Sequence, residues 1–153
     1  MYDTRGDIVD ALAGMPEVLN HLALTLAGSA GSPIARPGEW ALVQIVCHLR
    51  DAEERALERT RRMRDSDHPE ISSYDPSAWA IERDYGSQDL AAALATFRTF
   101  RESHVSDLGA IPWPDWHRQG SHAEYGAIDI LGHAIHVVSH DAIHLLQIVQ
   151  LGR

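Results

Sequence analysis

The chain has 153 residues, 44% of them hydrophobic and 23% charged, with a formal net charge of −9. This predicts a single domain over residues 1–153 with room for a real core, and the acidic balance argues against a nucleic-acid-binding surface. Cys47 is the lone cysteine, so no internal disulfide forms, and all 13 basic residues are arginine, which excludes Schiff-base chemistry on lysine. No apolar run approaches the ~18 residues of a membrane span. The first residues lack a basic region leading into an apolar stretch, so no signal peptide is expected and the cytoplasm is the default location.

Residues 3–27 read as a first helix, with Ile8, Leu12, Met15, Leu19, Leu22 and Leu26 on one stripe and a kink or a restart expected after Met15, at Pro16. A Gly-, Ser- and Pro-rich loop follows at 28–38. A second helix runs from about Trp40 to Asp65. Its core stripe carries Leu42, Ile45, Val46, Leu49, Ala52, Ala56 and Leu57, and also Glu53, an unusual place for a charge. His48 lies at the edge of the buried face, and the charged stretch 53–64 reads as a solvated surface. Residues 66–86 form a long connection, with a short helix at 77–83, which either crosses over plainly or covers a site.

Ser87 is the expected N-cap of a third helix ending near Leu108. Arg101 and His104 share its core face. Arg101 either reaches solvent or points into the site as an anion-binding group. Residues 109–125 form a loop whose Trp113 and Trp116 either plug the bundle end or wall a pocket. No stretch shows β alternation.

The last helix, 125–149, is apolar nearly all round and should be buried. Its one polar stripe is mostly imidazole: His133, His136, His140 and His144 fall within roughly 80° at about 100° per residue. Histidines at i and i+4 can reach one ion. The same stripe also suits a buried helix whose histidines bond carbonyls and carboxylates. Four long helices make an all-α four-helix bundle, in which facing helices commonly build metal sites.

His48, His140 and His144 are the candidate ligands. Three neutral imidazoles suit Zn²⁺, Ni²⁺ or Fe²⁺ and leave positions open. Glu53 is expected to support the site by pairing with His133, His136 or a ligand. His136, His133, Arg101 and Trp113 are further candidates for the support or the pocket. Glu53 or Asp51 is the candidate general base if the reaction is a hydrolysis.

Gly38-Glu39-Trp40 leading to His48-Leu49-Arg50-Asp51-Ala52-Glu53, together with Ile128-Asp129-Ile130-Leu131 and His136-Val137-Val138-Ser139-His140-Asp141-Ala142-Ile143-His144, resembles the two signatures of the DinB-like, or YfiT-like, metalloenzymes. The resemblance spans essentially the whole chain. It implies an up-down-down-up bundle, three ligands falling on His48, His140 and His144, a divalent metal, a pocket around it and a homodimer. Characterised members include thiol-dependent S-transferases and an isomerase. This sequence stops just after the last helix, which argues against the isomerase type with its extra C-terminal domain. The leading expectation is an S-transferase acting on a low-molecular-weight thiol, with Arg50 or Arg101 near the thiol's acidic groups. The alternatives are a metal-dependent hydrolase and a non-catalytic metal-binding stress protein.

Overall fold

A computed structural model describes residues 3–28 and 35–151. Four long helices, α1 (Thr4–Ala27), α2 (Leu42–Asp65), α4 (Leu90–Ala110) and α5 (Ile130–Leu151), form the bundle, with a short α3 (Pro76–Glu82) before α4. Both α1 and α2 pack on α4 and α5. The chain therefore crosses a diagonal between α1 and α2, and again between α4 and α5. Each crossing needs a long connection, which is why the loops are long in a small bundle. The loop expected at 28–38 lies partly outside the described residues. Among the described residues no helix is long and apolar enough to cross a membrane.

Helix ends follow local chemistry. Asp3 caps α1 through Gly6 N, and Asp75 caps α3 through Ser77 N and Ala78 N. Asp89, not Ser87, caps α4 by accepting from Ala92 N; Ser87 sits in a 3₁₀ turn at Tyr85–Ser87. The helix does not restart at Pro16, since α1 runs through it. Proline lacks the N–H that would bond the carbonyl four residues back. That carbonyl, Leu12 O, accepts from Arg101 Nη1 at 3.2 Å instead.

The absence of strands is also corrected. A small sheet of β1 (Glu70–Ile71), β2 (Gln119–His122) and β3 (Gly126–Asp129) closes one side, with β1 parallel and β3 antiparallel to β2. Strands of two to four residues are too short to show alternation, and β3 takes residues expected in the last helix. Within the sheet, a Cβ on Gly120 would stand 2.8 Å from Ile71 Cγ1 and 3.0 Å from Pro69 O. Gly120→Ala therefore forces β1 off β2, and a loss of about 1–3 kcal/mol in urea unfolding is expected. A wild-type midpoint would show that the sheet yields freely.

The apolar core is in two parts. One gathers Met15, Leu19, Ile45, Leu49, Phe97 and Ile148; the other gathers Leu12, Ala56, Met63, Leu108, Trp116 and Val137. Between them, Glu53, Arg101, His104 and Asp141 form a buried polar layer at mid-height.

Candidate metal centre

His48 on α2 meets His140 and His144 on α5. His48 Nε2 lies 2.9 Å from His140 Nε2, which lies 3.2 Å from His144 Nε2. One nitrogen from each of the three rings falls within a 4.8 Å cluster. The Trp40 ring packs on His48 with centroids 5.1 Å apart. His144 Nδ1–H donates to Gln147 Oε1 at 2.8 Å, which leaves its Nε2 as a bare lone pair aimed at the cluster.

This donor set fits a cation. A neutral His140 Nε2 carries at most one proton, so it can satisfy only one of its two neighbours. The other contact is then left without a well-formed hydrogen bond. An ion held at about 2.0–2.1 Å by imidazole would set adjacent donors roughly 2.9 Å apart in an octahedron and roughly 3.3 Å apart in a tetrahedron. The His48–His140 and His140–His144 spacings fall in that range. Burial, reinforced by the neighbouring His144, lowers the pKa of His48 to about 4. Burial, with His144 and His48, lowers that of His140 to about 3. Burial also lowers that of His144. The rings are thus neutral, as ligation requires.

A cavity of about 310 Å³ opens beside His48 and His140. Its walls include Ala52, Ala56, Val137, His133, His136, Arg59, Tyr74, His122 and Tyr125. The 66–86 connection does cover the site, through Ser73, Tyr74 and Pro76. Glu53, Asp141, His133 and His136 reach the cavity wall as well; Arg101 and Trp113 do not line it.

Glu53 holds neither His133 nor His136. Its Oε1 accepts from His104 Nδ1 at 2.7 Å, and its Oε2 accepts from Arg101 Nη2 at 2.7 Å. His104 and Arg101 sit on α4 at Glu53's own height, so they claim the carboxylate first. His104 Nε2 in turn accepts from the Thr60 hydroxyl at 2.8 Å. Thr60, His104 and Glu53 are ordered like a catalytic triad. Thr60 and His104 are both 0% exposed, so no substrate reaches them and the chain is structural. Arg101 faces no ligand either. It makes two bonds to Asp141, at 2.7 and 3.0 Å, and is 1% exposed. Trp113 packs on Trp116 and His117 and does not line the cavity beside His48 and His140.

Asp51 accepts from Arg50 at 2.8 Å, Arg83 at 2.9 Å and the Tyr85 hydroxyl at 2.6 Å. Burial raises its pKa, but these partners outweigh that and lower it. Burial likewise opposes ionisation of Glu53, and His104 and Arg101 reverse it. Both expected bases are therefore occupied carboxylates, and Asp51 does not reach the cavity. Arg59, Tyr74, His122 and Tyr125 belong to the cavity wall but were not expected there. Arg59 lies in the stretch read as solvated.

His133 Nε2–H donates to Ala56 O at 3.1 Å. Burial, with His104, lowers its pKa to about 3. The unfolded chain takes up this proton near pH 6.5 and the folded one does not. Stability linked to His133 is thus complete above about pH 6.5 and falls by about 1.4 kcal/mol per pH unit below it. Urea unfolding in chelator should show a shallower acid slope for His133→Phe than for wild type. Equal slopes would mean that His133 titrates normally.

A family model described as the DinB superfamily matches residues 11–148. A protein of Oceanobacillus iheyensis named "Putative metal-dependent hydrolase" is 26% identical over 94% of this chain and 83% of its own. "Putative metal-dependent hydrolase YfiT" of Bacillus subtilis is 24% identical over 95% of this chain and 82% of its own. A solved structure of Bacillus subtilis YfiT, described as a probable metal-dependent hydrolase with an unusual four-helix bundle topology, aligns with a TM-score of 0.88. It shares 21% identity and covers 99% of this chain and 87% of that one. With the diagonal bundle and the family match over most of its length, the chain belongs to the DinB superfamily.

Proposed function

We propose that the protein is a metal-dependent hydrolase of small molecules, with His48, His140 and His144 as the metal ligands. The observation that carries this is the convergence of three imidazole nitrogens at the wall of a cavity. The names of the two relatives favour hydrolysis over thiol transfer. The thiol reading depended on Arg50 or Arg101 to hold acidic groups. Arg50 is bound to Asp51 and Gln88, and Arg101 to Glu53 and Asp141.

A divalent ion at this position would supply Lewis acidity and lower the pKa of water. The chain's own residues do the rest. Gln147 fixes the His144 tautomer, and Trp40 holds the His48 ring. The cavity's small apolar residues, Ala52, Ala56 and Val137, leave room for a substrate. Proton transfer falls to His136, one turn before His140, because it is exposed, lines the cavity and makes no hydrogen bond among the described residues.

The test is a panel of esters, amides and thiol-plus-electrophile pairs, with protein loaded with Zn²⁺, Ni²⁺ or Fe²⁺ and with chelator. Hydrolysis that needs metal and is lost in His140→Ala is expected. Thiol conjugation without any hydrolysis would replace this reading with the transferase one.

A further inference from the structure

Among the described residues, Arg59 is an arginine of the cavity wall that forms no ion pair with a carboxylate. It projects into the cavity from α2 and is half-buried. Its Nη2 donates to Ser72 O at 2.7 Å. Its Nε is buried and has no hydrogen-bond partner among the described residues. Among the described residues it forms no ion pair; Arg5, Arg36, Arg62 and Arg118 form none either, but they lie outside the cavity, whereas Arg50, Arg55, Arg61, Arg64, Arg83, Arg98 and Arg101 are paired. The cavity's buried carboxylates, Glu53 and Asp141, are committed to Arg101. Glu124 is exposed on the wall and pairs with no arginine among the described residues. Burial holds the Arg59 pKa below the ordinary arginine value, so the charge is held against a desolvation cost. Such a cost is offset when an anion binds.

We propose that Arg59 is the anchor for a negatively charged substrate, whose carboxylate or phosphate sits on its guanidinium while the reacting group lies at His48, His140 and His144. The proposal rests on the hydrolase reading for the second half of that statement only. Arg59 follows His48 by 11 residues on one helix, a rise of about 16 Å. Both side chains lean toward the helix N-terminus, so the guanidinium stands on the order of 10–15 Å from the histidines along one cavity wall. The substrate is therefore elongated. Between its two ends the wall is Ala52, Ala56 and Val137, with the Tyr74 and Tyr125 rings. The Arg59 guanidinium lies 5.9 Å from the Tyr74 ring centroid, which sets the ring beside the anion site. An aryl or acyl body suits this middle section.

The test uses the full chain with chelator, so that no metal is involved. 4-Phenylbutyrate and phenyl phosphate are titrated by calorimetry, with inorganic phosphate as a third arm. In parallel, the Arg59 Nε–H resonance is followed by NMR. Saturable binding by one of the aryl anions is expected, with a shift of that resonance. Binding should weaken at least tenfold in Arg59→Gln and persist in Arg62→Gln, which removes the same charge outside the cavity. It should also persist in His140→Ala. Equal binding by Arg59→Gln, or an equal loss in Arg62→Gln, overturns the proposal. So does an unmoved Arg59 resonance in wild type, a measurement that stands even if Arg59→Gln loosens the loop at Ser72. A protein that binds the anion but no metal would refute the hydrolase reading and leave the anchor intact. The stronger aryl arm separates a phosphate ligand from a carboxylate one.

Discussion

Arg101→Met should lower stability by about 3–5 kcal/mol, because it leaves two buried carboxylates without their counter-ion. For a domain of this size that is a fall in Tm on the order of 6–20 °C. Arg101 lies between Glu53 and Asp141, with contacts of 2.7 Å to each. It also satisfies the Leu12 carbonyl that Pro16 leaves free. Burial acts against its charge, yet Glu53 and Asp141 raise its pKa above the ordinary value. Removing it sets the two carboxylates against each other. Neutralising one of them as well, in Arg101→Met with Asp141→Asn, should recover part of the loss. The measurement is urea unfolding of both variants at neutral pH. A single variant that loses under 1 kcal/mol would mean that water enters the layer and solvates the acids.

The second large effect concerns the ion itself. With free Zn²⁺ or Ni²⁺ at about 100 times Kd, binding to the folded state adds about 2.7 kcal/mol. That should raise Tm by roughly 5–10 °C in wild type. His140→Ala should abolish the rise, since His140 Nε2 lies within 3.2 Å of both partner nitrogens. Its apo form should stay folded, because the two apolar cores on either side of the polar layer are untouched. His122→Ala, also on the cavity wall, should keep the metal-dependent rise. Equal melting curves with metal and with chelator in wild type would remove the ion from the site. The three histidines would then be a hydrogen-bonded group with one unmatched contact.

Much of this was legible in the linear sequence, for reasons that differ by residue. His140 and His144 share one helix face by their spacing alone. His48 has no such partner on α2; it is the candidate third imidazole because it lies at the edge of that helix's buried face, and the resemblance of its surrounding motif points to the same residue. Glu53 stood out as a charge on an apolar stripe, but its partner was misjudged. Periodicity gives the face of a helix and not the height at which two helices meet, so His104 and Arg101 were hidden. Arg59 was hidden more deeply. It lies among charges that mostly do face solvent, and only the fold of residues 72–76 and 122–125 over α2 converts its position into a wall. Trp113 was misplaced because a loop has no period to orient it.

The histidine ladder of α5 repeats every turn, at His136, His140 and His144. A helix with that ladder and an apolar remainder could slide by one turn and still present two imidazoles to His48. Asp141 has no such repeat. Four residues before it is Val137 and four after it is Leu145. A slipped α5 would put one of these against Arg101 and strand a buried charge. The ion pair thus chooses among otherwise interchangeable alignments. The polar layer thereby decides which histidines face one another.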